Sequence, residues 1–91
     1  MSENTTPRLA IISGCTSGIG FATALGLARL GWHVVGIARS PSRGQRMTEV
    51  VRAQSGNPHV SFHAADLSLV RETQAIGRRL RALYPHVDLL I

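Results

Sequence analysis

The residues with the clearest capacity for chemistry form one short turn, Ser13 to Gly20, directly behind a run of apolar residues. Gly14 would allow a tight turn out of a strand, Gly18 a close approach of the backbone to a phosphate, and Gly20 the packing of the following helix against the sheet. A helical pattern begins at once, so the amide groups of its first turn would face a bound anion. The spacing predicts a binding turn for the pyrophosphate of a dinucleotide. The alternative is that these glycines serve only a tight strand-to-helix turn.

A second group with chemical potential, Ala38-Arg39-Ser40, lies at the end of the next predicted strand. NAD-binding proteins place an acidic residue here for the ribose hydroxyls, whereas an arginine suits the 2'-phosphate of NADP. No acid is present, and the guanidinium of Arg39 suits bidentate contact with a phosphate. These residues favour NADP over NAD, with Arg43 as a weaker second candidate. The alternative is an ordinary surface arginine at a strand end.

Strand and helix patterns alternate regularly along the chain. Strands are predicted over residues 9–13, 33–38, 60–64 and 87–91, and helices over 19–30, 41–55 and from the residue after Ser68 to Pro85. Ser40, followed by Pro41, and Ser68 are the predicted caps of the second and third helices, and Asn57-Pro58 is a predicted turn before the third strand. The predicted inner face of the third helix comprises Leu69, Thr73, Ile76, Leu80 and Leu83. Such alternation implies right-handed crossovers and a parallel sheet. We therefore predict an α/β fold, a Rossmann-type doubly wound parallel sheet with strand order 3-2-1-4.

The fourth predicted strand is almost entirely apolar, although nothing in the chain would lie on its far side. We therefore expect an incomplete sheet and a truncated chain. Residues 1–7 are predicted to be disordered, and residues 8–91 to form the N-terminal, dinucleotide-binding portion of a Rossmann-fold domain. No export signal precedes them, so the expected location is cytoplasmic.

Composition narrows the possible partners. The net charge is +5, and all ten basic residues are arginines. They are dispersed apart from Arg78, Arg79 and Arg81, with no interleaved aromatic residues, so no nucleic-acid partner is expected. No apolar run is long enough for a membrane span, and no Cys/His spacing indicates a metal site. Cys15 is interpreted as a small residue filling a small space, with a redox role as the alternative.

The turn at Ser13 to Gly20 resembles the Thr-Gly-x-x-x-Gly-x-Gly motif of the short-chain dehydrogenase/reductase family, with serine in place of the first threonine. Asp66-Leu67, directly after the third strand, resembles the family's Asp-Leu/Val pair. The resemblance implies that the carboxylate contacts the adenine amino group and that Leu67 packs by the ring. Without the resemblance, Asp66 would be interpreted only as an acidic residue near the start of the third helix. Residues 39–44, 56–57, 66–68 and 85–91 are similar to retinol-dehydrogenase-like members that prefer NADP. Residues 87–91 resemble the strand that the family continues with Asn-Asn-Ala-Gly.

Together, these patterns define the candidate cofactor-binding residues. They are Gly14, Thr16, Ser17, Gly18, Ile19, Gly20, Arg39, Ser40, Asp66 and Leu67. The resemblance covers nearly the whole chain but only the cofactor-binding part of a typical member.

The resemblance implies hydride transfer between a nicotinamide and a small carbonyl or alcohol substrate, with a tyrosine and a lysine four residues on as the acid/base pair. The chain has no lysine, and its only tyrosine, Tyr84, is followed four residues later by Asp88. Tyr84 is therefore predicted to be structural, and no catalytic residue is assigned. We expect substrate binding, turnover and any oligomer only in a full-length parent.

Two other classes of function remain open. One is a non-catalytic dinucleotide-sensing or interaction module that uses the same turn. The other is an S-adenosylmethionine-dependent methyltransferase. The nucleoside pocket of such enzymes normally contains an acidic residue at the end of the second strand, where this chain has Ala38 and Arg39.

Overall fold

The computed structural model describes residues 7–91 and contains four strands alternating with three helices. They are β1 (Leu9–Ser13), α1 (Gly18–Arg29), β2 (His33–Ala38), α2 (Pro41–Ser55), β3 (Val60–Ala64), α3 (Val70–Leu83) and β4 (Leu89–Leu90). The bounds of β1, β2, α2 and β3 match the predicted ones. Helix α1 begins and ends one residue earlier than predicted, and α3 and β4 are shorter than predicted. The predicted disorder falls, apart from residue 7, outside the described residues.

The four strands form one parallel sheet in the order β3-β2-β1-β4, which confirms the predicted topology. Ile11 of β1 lies opposite Val35 of β2, and Val35 lies opposite Ser61 of β3. Because successive side chains of a strand point to opposite faces, each strand contributes to two cores. One core, with Ile12, Val34 and Val60, lies against α1 and α2, and the other, with Ile11 and Val35, lies against α3.

The start of α2 agrees with the predicted cap, whereas the start of α3 does not. The Ser40 hydroxyl accepts a hydrogen bond from the Arg43 amide at 3.3 Å, and Pro41 is the first residue of α2. In α3 the capping position is Leu69, because the Ser68 hydroxyl donates instead to the Asp66 carboxylate. A nearby side chain thus competes successfully with the helix end for the serine.

The predicted inner face of α3 is buried only in its middle. Ile76 and Leu80 are buried against the sheet, but Leu69 is 43% exposed and Leu83 is 53% exposed. The buried part of this face therefore spans about one turn, and both ends of the helix are exposed. Among residues 7–91, no helix combines the length and apolarity that crossing a membrane requires.

Residues 88–91 are bound to β1 by more than the two paired residues of β4. The Asp88 amide donates to the Leu9 carbonyl at 2.9 Å, and the Asp88 carboxylate accepts from the Leu9 amide at 2.8 Å. The Leu9 hydrogen bond, and then the neighbouring His86, hold the pKa of Asp88 below its usual value. At the other end, the Ser13 hydroxyl donates to the Ile91 carbonyl at 3.0 Å. Both ends of β1 are therefore held to the last residues by side chains.

Asn57, predicted only as a turn residue, connects three segments. Its side-chain amide donates to the carbonyls of Ala28 and Trp32 at 3.0 and 2.8 Å, and its Oδ1 accepts from the His59 amide at 2.8 Å. Asn57 is buried, and its side chain supplies a partner to the Trp32 carbonyl and the His59 amide, whereas the Ala28 carbonyl also accepts from the Gly31 amide at 3.0 Å. The single side chain joins the end of α1 to the entry of β3.

Replacing Asn57 with alanine should lower the free energy of unfolding by about 2 kcal/mol, because the Trp32 carbonyl and the His59 amide lose this partner, while the Ala28 carbonyl keeps the Gly31 amide. Urea unfolding followed by circular dichroism measures the change. The exposed neighbour Gln54 provides the control, since Gln54→Ala should alter stability by less than about 0.5 kcal/mol. Equal effects of the two variants would show that the Asn57 hydrogen bonds contribute little.

Tyr84 packs between two histidines, as its predicted structural role requires. Its ring meets those of His33 and His63 edge-on, with centroids 5.6 and 6.1 Å apart. Burial lowers the pKa of His33, with a further contribution from His59, and burial followed by the charge of Arg79 lowers the pKa of His63. Folding therefore favours the neutral form of both imidazoles.

This arrangement predicts that the chain loses stability as the pH falls below the ordinary histidine pKa of 6.5. In the folded chain, the pKa values of His33 and His63 lie below this ordinary value. Just below pH 6.5 the unfolded chain therefore binds more protons than the folded chain, and acid favours unfolding. Urea midpoints measured between about pH 7.5 and 5 should decrease, and the slope should be smaller in the His33→Gln/His63→Gln double variant. An unchanged slope would assign the effect to other groups. Asp66 and Asp88 titrate below their usual 3.8 and contribute only at lower pH.

Candidate dinucleotide-binding site

A cleft of about 600 Å³ opens at the carboxyl ends of β1, β2 and β3. Its walls come from the three connections that follow these strands. The lining residues are Ser13, Gly14, Thr16, Ile37, Ala38, Arg39, Ser40, Arg43, Ala65, Asp66, Leu67 and Ser68. Parallel doubly wound sheets bind ligands at this edge, because the connections diverge there.

The fold brings most of the predicted site residues together. Six of them line the cleft, namely Gly14, Thr16, Arg39, Ser40, Asp66 and Leu67. Ser17 lies beside it, in a neighbouring groove that shares Thr16 and Arg43 with the cleft. Gly18, Ile19 and Gly20 are not among the lining residues and form the first turn of α1, where Ile19 is 87% exposed.

The glycines of the turn differ in what they make possible. Gly14 and Gly18 have φ angles of +61° and +59°, in the left-handed region where a side chain is strained. Gly20 has an ordinary helical backbone, but a Cβ atom there would overlap the carbonyl group of Gly14. Its role is therefore to pack α1 against the Gly14 turn, rather than against the sheet as predicted.

The first turn of α1 is open to an anion. Ser17, at the capping position, makes no side-chain hydrogen bond to the helix, and no acidic residue occurs in the first turn. The amides at this end lack partners within the helix, and the helix dipole places partial positive charge on them. This geometry suits a phosphate group.

Two groups of opposite charge lie on the other walls of the cleft. The Arg39 side chain is exposed at the end of β2, free to meet a ligand. Asp66 is half-buried, and its Oδ1 accepts from the Ser68 hydroxyl at 2.6 Å and from the Ser68 amide at 3.0 Å. The pKa of Asp66 lies below its usual value. The largest cause is the hydrogen bond from the Ser68 hydroxyl, followed by that from the Ser68 amide, and the charge of Arg39 contributes as well. Asp66 is thus an ionised hydrogen-bond acceptor at neutral pH.

Sequence reasoning missed two residues that act on Asp66. The sequence predicts Ser68 as the cap of the third helix and indicates no role for Glu72. The Glu72 Oε1 accepts from the Asp66 amide at 2.7 Å, six residues back along the chain. An acidic residue in the first turn of a helix is the only signal that sequence provides for Glu72, and this signal does not specify its partner.

Cys15 is buried beneath the turn, next to Gly36 of β2. Its Sγ lies 4.0 Å from the Ile37 carbonyl, and a Cβ atom on Gly36 would stand 2.6 Å from Sγ. Burial raises the pKa of the thiol, which disfavours the reactive thiolate. Cys15 therefore fills a small space, and the redox alternative has no support. Within residues 7–91, no three His, Cys, Asp or Glu side chains are placed to hold a metal ion.

Comparison with known proteins identifies the family. Residues 8–91 match the family model described as short chain dehydrogenase. The chain is 40% identical over 84 residues to dehydrogenase/reductase SDR family member 13 of Homo sapiens, covering 92% of this chain and 22% of that protein. It is 31% identical to retinol dehydrogenase 11 of Mus musculus, covering 92% and 27%. The chain belongs to the short-chain dehydrogenase family, and its likeness to retinol dehydrogenase agrees with the resemblance noted in the sequence.

A solved structure supports the same conclusion about the fold. The L-sorbose reductase of Gluconobacter frateurii, complexed with NADPH and L-sorbose, superposes with a TM-score of 0.81 at 29% identity, covering 99% of this chain and 34% of that one. The chain thus spans between about a fifth and a third of the length of the proteins it matches.

Proposed function

We propose that this chain is the NADP-binding portion of a short-chain dehydrogenase that transfers a hydride between NADP(H) and a carbonyl or alcohol substrate. One observation carries the proposal: a single cleft joins the Gly14 turn, the Arg39 side chain and the Asp66 carboxylate. In this proposal the amides of the Gly14 turn bind the pyrophosphate, the guanidinium of Arg39 binds the 2'-phosphate, and the carboxylate of Asp66 accepts from the adenine amino group. The NADPH bound to the structurally similar L-sorbose reductase supports the same cofactor.

The residues of the chain would hold the cofactor in three parts. The amides between Gly14 and Gly20, with the hydroxyls of Thr16 and Ser17, would bind the phosphates next to the positive end of α1. Arg39 and the adjacent Ser40 would bind the 2'-phosphate through charge-assisted hydrogen bonds. Asp66 would accept from the adenine amino group while Leu67 packs against the ring, and Ile19, exposed in the first turn of α1, would contact the bound cofactor.

The chemical step needs groups that these residues do not supply. The bound nicotinamide would supply or accept the hydride. The chain contains no lysine, and Tyr84 packs between His33 and His63 instead of lining the cleft. We therefore propose that residues 8–91 bind and orient the cofactor, and that the tyrosine–lysine pair belongs to the full-length parent.

Calorimetric titration of the chain with NADPH, NADH and adenosine 2',5'-bisphosphate tests this function. We expect NADPH to bind at least about tenfold more tightly than NADH, and the bisphosphate to compete with it, because charged hydrogen bonds to the 2'-phosphate contribute about 1.5–3 kcal/mol. Absence of binding would refute the dinucleotide site. Equal affinity for NADPH and NADH would refute the assignment of NADP.

The missing lysine favours a second candidate, a dinucleotide-sensing or interaction module without turnover. The reading frame beyond codon 91 distinguishes the two. An in-frame Asn-Asn-Ala-Gly and a later Tyr-x-x-x-Lys would support the enzyme, whereas a stop codon would support the module. The cytoplasmic location and any oligomer of the parent remain predictions.

A further inference from the structure

The carboxylate of Asp66 is held on two sides by residues outside the predicted site. Ser68 donates both its hydroxyl, at 2.6 Å, and its amide, at 3.0 Å, to Oδ1. The backbone of Asp66 is held separately, because its amide donates to the Glu72 carboxylate at 2.7 Å. Side chain and main chain of Asp66 are therefore both restrained, although the residue follows β3 in a connecting segment.

This restraint has a chemical consequence for the cleft that Asp66 lines. Two donors on Oδ1 favour the ionised form, and an ionised carboxylate only accepts hydrogen bonds. It would attract the 6-amino group of adenine, a donor, and repel the 6-oxo group of hypoxanthine, an acceptor. A carboxylate that rotated freely or took up a proton would distinguish these bases poorly.

We propose that Ser68 and Glu72 are positioning residues that hold Asp66 as a fixed acceptor, so that the cleft selects an amino-purine dinucleotide over an oxo-purine one. The inference rests on the proposed function, since it takes the adenine of the cofactor as the partner of Asp66. It adds that selectivity for the base depends on two residues that need not touch the base.

Ser68 itself lines the cleft, so direct contact with the cofactor is the competing explanation. The two explanations predict different results. Loss of a direct Ser68 contact elsewhere on the cofactor would weaken the adenine and hypoxanthine forms equally. Loss of the Asp66 restraint would weaken the adenine form selectively, because only that form carries a hydrogen-bond donor at position 6 of the purine, where the carboxylate is proposed to accept.

The test compares NADPH with its hypoxanthine counterpart, deamino-NADPH, by calorimetric titration of the full 91-residue chain. The unaltered chain should prefer NADPH by about tenfold or more, as expected for a hydrogen bond to a charged acceptor. In Ser68→Ala this preference should fall below about threefold, whereas Ser68→Thr, which keeps the hydroxyl, should retain it. Glu72→Ala should also reduce the preference, and Glu72→Gln, which keeps a side-chain oxygen for the Asp66 amide, should restore most of it.

Thr73→Ala provides a matched control at the same helix start. The Thr73 hydroxyl donates to the carbonyls of Leu67 and Leu69 at 3.1 and 3.0 Å and makes no hydrogen bond to Asp66. This variant should lose some stability and keep the unaltered preference for NADPH. A reduced preference in Thr73→Ala, equal to that in Ser68→Ala, would assign the effect to a loosened helix start and overturn the positioning role.

The remaining outcomes separate this inference from the proposed function. If the unaltered chain binds neither nucleotide, both fail. If it binds NADPH more tightly than NADH but does not distinguish deamino-NADPH, or if Ser68→Ala weakens both forms equally, the positioning role is overturned and the NADP site stands.

Discussion

Gly20→Ala should destabilise the chain by about 2 kcal/mol and weaken NADPH binding by about a hundredfold. The backbone at Gly20 is ordinary helix, so the cost comes from space: the added Cβ overlaps the Gly14 carbonyl. Relief of this overlap requires α1 to move away from the turn that follows β1. The amides proposed to meet the pyrophosphate move with it, so stability and binding should decline together. Thermal unfolding and NADPH titration measure the two effects.

Gly26→Ala is the matched control, because it makes the same change in the same helix. Gly26 is exposed, and a Cβ atom there would meet nothing within 4 Å. Alanine in an unobstructed helix interior should stabilise the chain by about 0.5–1 kcal/mol and leave binding unchanged. The two variants should therefore change stability in opposite directions. A stabilising Gly20→Ala would mean that the contact between α1 and the turn is not close.

Arg39→Ala should weaken NADPH binding by about thirtyfold and leave NADH binding nearly unchanged. The guanidinium is proposed to meet the 2'-phosphate, which NADH lacks, and hydrogen bonds between charged groups contribute about 1.5–3 kcal/mol. The side chain is exposed at the end of β2, so its removal should cost little stability. Titration of the variant with both cofactors measures the change in preference.

Arg71→Ala is the control for charge, since Arg71 is exposed on α3 and lies outside the cleft. Removing one positive charge from the chain should weaken both cofactors slightly and equally. Arg43, which lines the cleft, should show a smaller selective effect than Arg39. If Arg39→Ala and Arg71→Ala have the same effect, the preference for NADPH arises from net charge rather than from a specific contact.

The order of strands and helices was predictable because each element carries its own local signal. The apolar run of β1, the β-branched residues of β2 and the Ser40-Pro41 start of α2 specify their elements without reference to distant residues. The cleft was predictable to the same extent, since parallel strands bring their carboxyl ends to one edge. The glycine turn, Arg39 and Asp66 follow three such strands and therefore meet there.

The start of α3 was not predictable in the same way. Ser68 has the side chain of a helix cap, and only the position of Asp66 after β3 shows that the carboxylate takes its hydroxyl. The exposure of Leu69 and Leu83 likewise depends on how far α3 extends past the sheet. Local pattern identified the helix and its face, but the neighbouring segments determined which groups were paired.

The sequence by itself determined the α/β alternation, the strand order and the three groups that line the cleft, because hydrophobic period, turn residues and chain connectivity act over short distances. Only the tertiary structure decided that Gly20 packs on the Gly14 carbonyl, that Asn57 joins α1 to β3, and that Ser68 and Glu72 hold Asp66. Each of these contacts depends on a distance of a few ångströms between segments. Such distances follow from the packing of the whole sheet and its helices, and no local pattern in the chain records them.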